Sequence, residues 1–206
     1  HHNHSDLVIK ALNKGKAVYV EKPLALDLQS ITDIEESIYR SENPKLFIGF
    51  NRRFSKSAQF IKQKLINSPA NSINLRFSVP PLDSDHWTNI KEIGGGRIVG
   101  EAVHGIDLAC YLFDSLPQSI SASAPVDKTN NMVKDNQVFL NINFANGSHA
   151  ALQYFTEANQ ILSKERIEVH GEGNSYILED FKMLRFLEGS QDRSKTFSSG
   201  KGHKES

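Results

Sequence analysis

The sequence is poor in cysteine and in long apolar runs, and it carries no net charge. Its single cysteine, Cys110, excludes an internal disulfide framework and suits a reducing compartment, so we expect a cytoplasmic protein. The apolar runs are far shorter than the ~20 residues that a membrane span needs. The 24 basic and 24 acidic residues cancel, so no global field would attract nucleic acid or anionic lipid. We therefore expect a globular protein that binds neither nucleic acid nor membrane.

The sequence also lacks a GxGxxG dinucleotide fingerprint. The glycine run 94–96 does not qualify, because no strand pattern immediately precedes it and its spacing is wrong. The histidines His1, His2 and His4 are interrupted by asparagine and run directly into a helix pattern. A metal hydrolase built on these three histidines is therefore a weak alternative, and we expect no metal site.

The first part of the chain alternates helix and strand patterns with short connections, which is typical of a parallel α/β layer. Ser5 and Asp27 are the expected caps of its two helices. Two strands alone are too few for a stable doubly wound sheet. The helix patterns cover 5–13 and 27–42, and the strand patterns cover 17–20 and 45–50.

The remainder is dominated by strand patterns separated by tight-turn signals, which favours an antiparallel sheet and an α+β unit. The polar tail 190–206 is expected to be frayed or cut off before its partners. We therefore predict two domains, 1–51 and 52–206. The second has helices over about 55–67 and 100–113 and strands at 72–79, 119–124, 137–144, 148–155, 165–170, 175–179 and 183–187.

Lys22 stands at the end of the first strand pattern, in the string VEKPLAL. The following Pro23 disfavours the α conformation at Lys22, and the carboxyl ends of parallel strands are where open α/β sheets bind ligands. A lysine at that position can donate a hydrogen bond to a substrate hydroxyl or take part in proton transfer. Spacing alone leaves open an ordinary lysine in a surface turn.

A second candidate cluster lies in the string GGGRIVGEAVHGID, residues 94–107. Glu101, His104 and Asp107 are spaced by three and share one side of a helix. A histidine can relay a proton at neutral pH, and a neighbouring carboxylate can fix its tautomer. The same spacing is equally compatible with a histidine–carboxylate pair that has no function.

Arginine and tryptophan side chains provide candidates for ligand binding. Arg52 and Arg53 follow the second strand pattern, where they could bind an anion or a hydroxyl group or bridge two domains. Trp87, the only tryptophan, lies in a loop, and aromatic faces commonly line pockets. A lone loop tryptophan can also simply cover a core.

Taken in order, the strings KGKAVYVEKPLAL, GFNRRF and GGGRIVGEAVHGIDLACYL resemble the Gfo/Idh/MocA oxidoreductases over about residues 1–190. The resemblance implies the carboxyl-terminal part of a Rossmann domain, followed by an open, mainly antiparallel sheet with helices on one face. It also implies an NAD- or NADP-dependent dehydrogenase acting on a sugar, polyol or nucleotide-sugar hydroxyl, and a homo-oligomer formed through the second sheet.

The resemblance assigns roles to individual residues. Lys22 and His104 match the family's catalytic lysine and histidine, and Asp107 matches the helix aspartate three residues after that histidine. Glu101 is the acidic candidate adjacent to them. His4, Glu21 and Pro23 match positions next to the cofactor. The Lys22–Pro23 bond is cis in several relatives. Arg52, Arg53, Trp87 and Arg97 fall where relatives line the substrate pocket, together with His104.

Two departures from the family pattern bear on activity. Many members carry an aspartate four residues before the histidine, where this chain has Gly100, so either Glu101 replaces it or the lysine and histidine act without it. The first half of the Rossmann fold is expected upstream of His1, so we expect an internal fragment that is inactive alone. The alternative is a non-catalytic member that serves in oligomerisation or partner binding.

Overall fold

The computed structural model describes residues 1–83, 85–126, 136–198 and 200–206. The chain divides into two compact units, and the first is discontinuous in sequence: it combines His1–Phe50 with Asp83–Val103. The second unit combines Asn51–Leu82 with His104–Ser206. The two domains predicted from the sequence share the division near residue 51, whereas the structure packs 83–103 with the first unit.

The first unit is built on a β–α–β layer. Helix α1 spans His4–Leu12, strand β1 Val18–Val20, helix α2 Leu28–Arg40 and strand β2 Leu46–Ile48. The two strands are parallel, with Tyr19 opposite Phe47, which confirms the predicted α/β pattern. The helices bury their apolar stripes against one face of the strands, and this core consists of Val8, Leu12, Val20 and Ile34.

One of the two predicted helix caps is confirmed. The side chain of Asp27 accepts a hydrogen bond from the backbone N–H of Ser30 at 2.7 Å at the start of α2. The prediction for Ser5 was wrong, because α1 starts at His4 after Asn3, and Ser5 is buried within the helix. The apolar stripe of α1 begins only at Leu7, so the spacing of apolar residues does not indicate where the first turn of the helix starts.

The second segment of the first unit contains short helical turns. A 3-10 turn spans Trp87–Asn89, helix α4 spans Lys91–Gly94, and a π-helical turn spans Ile98–Ala102. Helix α5, Val103–Phe113, follows directly. The predicted helix 100–113 is thus a π turn that leads into an α-helix.

The second unit contains an eight-stranded sheet and helix α3, Lys56–Leu65, which begins after the cap Ser55. The strands are β3 Ser72–Ser78, β4 Pro117–Ser123, β5 Val138–Phe144, β6 His149–Phe155, β7 Glu165–Gly171, β8 Asn174–Glu179, β9 Met183–Glu188 and β10 Gln191–Thr196. Their order in the sheet is β10-β9-β8-β7-β3-β6-β5-β4. All neighbours pair antiparallel except β3 and β6, which are parallel.

Helices α3 and α5 pack on the same face of this sheet. Phe60 of α3 lies against Phe186 of β9, with ring centroids 5.8 Å apart. Gly105 of α5 allows close approach, because an added Cβ would lie 2.8 Å from Phe77 Cε2 of β3. The opposite face carries polar pairs such as Arg166–Glu179 at 2.6 Å. This arrangement confirms the predicted sheet with helices on one face.

The polar tail contains a paired strand over Gln191–Thr196, so the prediction that it is frayed was wrong for these residues. Strand β10 pairs along its whole length with β9, although all of its side chains are exposed. Backbone pairing forms this edge strand, and an ion pair of 2.6 Å between Arg185 and Asp192 supports it. Further on, Gly202 is buried against the backbone of Asn51 and Ser55.

Of the helices in the described residues, none is long and apolar enough to cross a membrane.

Candidate active site

Lys22 lies just past the carboxyl end of β1 and is partly buried. Its Nζ donates a hydrogen bond of 2.6 Å to the backbone carbonyl of Gly100 in the π turn. The Lys22–Pro23 peptide bond is cis. The structure therefore holds the lysine in a defined position within the first unit, rather than in a solvated turn.

His4 lies beside the same turn. Its Nδ1 is 2.7 Å from the carbonyl oxygen of Pro23, and since a carbonyl can only accept, Nδ1 carries the proton. His1 makes the equivalent contact to the carbonyl of Gly94 at 2.9 Å. In a neutral ring each Nε2 is then an acceptor. His4 thus lies beside Pro23, the other residue of this turn that the resemblance placed next to the cofactor.

Aromatic rings line this part of the first unit. Trp87 is 46% exposed, and the His1 ring meets it edge-on with centroids 4.9 Å apart. The His86 ring is tilted by 30° to the indole, with centroids 6.0 Å apart. An exposed indole flanked by imidazoles offers a flat apolar surface to a ligand.

The glycine run is a backbone turn of the first unit. An added Cβ on Gly94 would lie 2.5 Å from the Cα of Thr88, so glycine permits the contact of α4 with the 3-10 turn. Gly95 and Gly96 have φ of 78° and 81°, a conformation that glycine adopts at little cost. These glycines therefore shape the loop that leads into the π turn.

Arg97 and Glu101 form an ion pair across one turn of this segment, with NH2 and Oε1 3.4 Å apart. Arg97 is only 4% exposed. Glu21, by contrast, is exposed and accepts a hydrogen bond from the hydroxyl of Tyr19 at 3.4 Å. The structure thus brings the predicted residues His4, Glu21, Lys22, Pro23, Trp87, Arg97 and Glu101 into one compact unit.

His104 and Asp107 belong to the second unit, on α5. His104 is 4% exposed. Asp107 forms a bidentate ion pair with Arg53. Burial raises the pKa of Asp107, and the Arg53 guanidinium opposes this effect. The Arg53 guanidinium also lies 5.6 Å from the centre of the Tyr111 ring, so α5 holds this arginine through two contacts.

Arg52 points into the second unit. Its Nε and Nη2 donate to the two oxygens of Glu165 at 3.1 and 2.9 Å, and its Nη1 donates to Asn51 at 3.0 Å. Lys201 also contacts Glu165. All three nitrogens of Arg52 are engaged inside this unit, which argues against the predicted substrate contact of this residue.

Sequence reasoning missed the cluster around Glu165. Glu165 begins a strand pattern whose inward positions are otherwise apolar, such as Ile167 and Val169. An acidic residue in phase with such positions is the signal that could have indicated a buried ion pair. Among the described residues, no three histidine, cysteine, aspartate or glutamate side chains are placed to hold a metal ion.

The two units define the class of protein. The first contains the parallel α/β layer of a Rossmann-type fold, and the second contains a mainly antiparallel sheet covered by helices. Residues 1–50 match the family model described as "Oxidoreductase family, NAD-binding Rossmann fold", and residues 69–177 match the "GFO/IDH/MocA C-terminal domain". The chain belongs to the Gfo/Idh/MocA family.

Two relatives of this chain are inositol dehydrogenases. The chain is 28% identical to an inositol 2-dehydrogenase of Rhizobium meliloti, over 82% of this chain and 51% of the relative. It is 30% identical to a myo-inositol 2-dehydrogenase of Thermotoga maritima, over 60% of this chain and 36% of the relative. The chain thus spans about half or less of these two relatives.

A solved structure of levoglucosan dehydrogenase in complex with NADH and levoglucosan has the same fold. Its TM-score is 0.78 at 22% identity, and the match covers 95% of this chain and 59% of that chain. An NAD-binding oxidoreductase from Klebsiella pneumoniae matches with a TM-score of 0.76 at 21% identity, over 95% of this chain and 58% of that one.

Proposed function

We propose that the protein is an NAD(P)-dependent oxidoreductase that oxidises a CH–OH group of a sugar or polyol. The observation that carries this proposal is the placement of Lys22 at the carboxyl end of β1, with its ammonium fixed by a backbone carbonyl. Family membership supports the reaction class. The named relatives support the substrate class, since they act on inositols and levoglucosan.

The residues at the end of β1 fit the nicotinamide end of a dinucleotide. Glu21, Lys22 and Pro23 follow the strand directly, and His4 is held against the Pro23 carbonyl. We propose that these four residues contact the cofactor, which supplies the hydride acceptor when it is bound. NAD is the cofactor that the relatives favour, and use of NADP remains a prediction from the sequence.

Lys22 would act on the substrate oxygen. An ammonium group can donate a hydrogen bond to the hydroxyl and stabilise the negative charge that develops as the hydroxyl proton leaves. The hydrogen bond to Gly100 fixes one of its three N–H groups and thereby the direction of the others.

His104 would accept the hydroxyl proton, a role suited to an imidazole at neutral pH. It lies on α5 and is 4% exposed. Asp107, three residues further on, would act through Arg53 by holding the guanidinium in place. We retain Arg53, Trp87 and Arg97 as proposed substrate-binding residues, and Glu101 as a proposed acidic neighbour.

The proposal is tested with the full-length protein, NAD⁺ or NADP⁺, and myo-inositol, scyllo-inositol or levoglucosan as substrate. We expect at least one of these polyols to reduce the cofactor, as measured by the absorbance of the reduced nicotinamide. If a folded protein turns over none of them, the result would favour the non-catalytic alternative.

Two further properties remain predictions. A cytoplasmic location is expected from the single Cys110, and fractionation of the source cells tests it. A homo-oligomer formed through the second-unit sheet is expected from the resemblance. Sedimentation equilibrium measures the oligomeric state, and a monomer at micromolar concentration would contradict this expectation.

A further inference from the structure

The π-helical turn Ile98–Ala102 is an unusual element at an informative place. Helices of this kind are rare, and they occur frequently at functional sites. The turn presents the carbonyl of its central residue, Gly100, to the Lys22 ammonium at 2.6 Å, across 78 positions of sequence. The contact lies wholly within the first unit.

We propose that the main-chain carbonyl of Gly100 is the acceptor that orients Lys22, which makes Gly100 a positioning residue of the dehydrogenase. This inference rests on the proposed function and deepens it. It assigns to a backbone atom the task of holding the ammonium.

A carbonyl suits this task for two reasons. It is part of the backbone, so it has no rotamers and its direction is set by the turn. It also holds the ammonium through a charge-assisted hydrogen bond without adding a negative charge of its own. A protonated lysine held in this way can direct its remaining N–H groups at an alkoxide.

The acidic side chain next to Gly100 takes part in an ion pair of the same segment. Glu101 pairs with Arg97, which is 4% exposed and lies one turn earlier. The backbone carbonyl at position 100 accepts the hydrogen bond of 2.6 Å from Lys22.

Steric crowding does not require a glycine at position 100. An added Cβ would lie 3.6 Å from His1 Cε1 and 3.9 Å from the Gly94 carbonyl oxygen, which are ordinary contact distances. Side-chain substitution at this position would leave the carbonyl in place. The test must therefore alter the backbone acceptor itself.

The experiment replaces the amide between residues 100 and 101 by an ester, by introducing the α-hydroxy analogue of glutamate at position 101 of the full-length protein. An ester carbonyl is a weaker acceptor, and the side chain of Glu101 is retained. The matched control is the α-hydroxy analogue of valine at position 99, which weakens the carbonyl of Ile98 in the same turn.

With myo-inositol and NAD⁺, we expect the ester at 101 to lower kcat about tenfold, as for a hydrogen bond to a charged group that is weakened in part. KM should change little, and the ester at 99 should keep the wild-type kcat. Equal kcat for both esters would overturn the positioning role while leaving the dehydrogenase intact. If the wild type oxidises none of the three polyols, the proposed function fails, and this inference fails with it.

A second measurement does not depend on activity. In the chain labelled with ¹⁵N-lysine and ¹³C-carbonyl glycine, we expect a scalar coupling across the hydrogen bond between Lys22 Nζ and the Gly100 carbonyl carbon. The coupling should be lost in Lys22→Met. A Gly100 carbonyl resonance that Lys22→Met leaves unmoved would overturn the inference, even if the ester variants were to misfold.

Discussion

The buried carboxylate of Glu165 provides the sharpest prediction about stability. Glu165 is fully buried. Its carboxylate accepts two hydrogen bonds from Arg52 and one from Lys201. Burial alone would raise its pKa, but Arg52 and Lys201 outweigh this effect and hold the pKa below its usual range. The carboxylate therefore stays charged and neutralises the buried guanidinium of Arg52.

We expect Glu165→Gln to lower the free energy of unfolding by about 3–5 kcal/mol, the usual cost of removing one partner of a buried ion pair. Arg52, itself only 7% exposed, would keep its charge without a counterion. The double variant Arg52→Met with Glu165→Leu should recover most of the loss, because it removes both charges. Glu172→Gln, in an exposed turn of the same sheet, is the matched control.

Urea unfolding followed by far-ultraviolet circular dichroism is the assay, since strands β3–β10 all belong to the second unit. Because the folded-state pKa of Glu165 lies below the ordinary value of 4.5, its contribution is present above that pH. It should be lost as the pH falls further, through the folded-state pKa. Glu165→Gln should remove this pH dependence. A surface ion pair contributes less than about 1 kcal/mol. If Glu165→Gln lowers the free energy of unfolding by no more than that at neutral pH, the Arg52–Glu165 pair does not behave as a buried ion pair.

Two further variants test the packing of the second unit. Gly105→Ala should destabilise it by about 1–3 kcal/mol, the usual cost of overpacking, because the new Cβ would meet Phe77 Cε2 at 2.8 Å; an unchanged urea midpoint would contradict the close packing of α5. Ser55→Ala should cost about 1 kcal/mol, since the Ser55 hydroxyl accepts from the backbone N–H of Ala58 at 3.1 Å at the start of α3; wild-type stability would show that this cap contributes nothing.

Much of the fold could be predicted, because periodic burial leaves a local signal. Strand β7 alternates inward Ile167 and Val169 with outward Glu168, and the strand forms where that pattern predicts it. Strand β10 could not be found in this way. Its sequence QDRSKT has no apolar face, so only its pairing with β9 defines it.

The candidate site was predictable in its residue types but not in its contacts. Lys22 and His104 stood out through their place in motifs. The hydrogen bond from Lys22 to Gly100 joins residues 78 positions apart, and no local pattern encodes such a contact. The burial of Arg52 was missed for the same reason, since its partner Glu165 lies 113 positions away.

The catalytic role proposed for Lys22 is tested by comparing two lysine variants. We predict that Lys22→Ala in the full-length protein lowers kcat about 10²–10⁴-fold, as loss of a proton-transfer or charge-stabilising group does. Lys16→Ala, an exposed lysine of the same unit, should keep the wild-type kcat. The fluorescence of Trp87, the only tryptophan, reports on folding of the first unit in both variants. A folded Lys22→Ala variant with wild-type kcat would contradict the account.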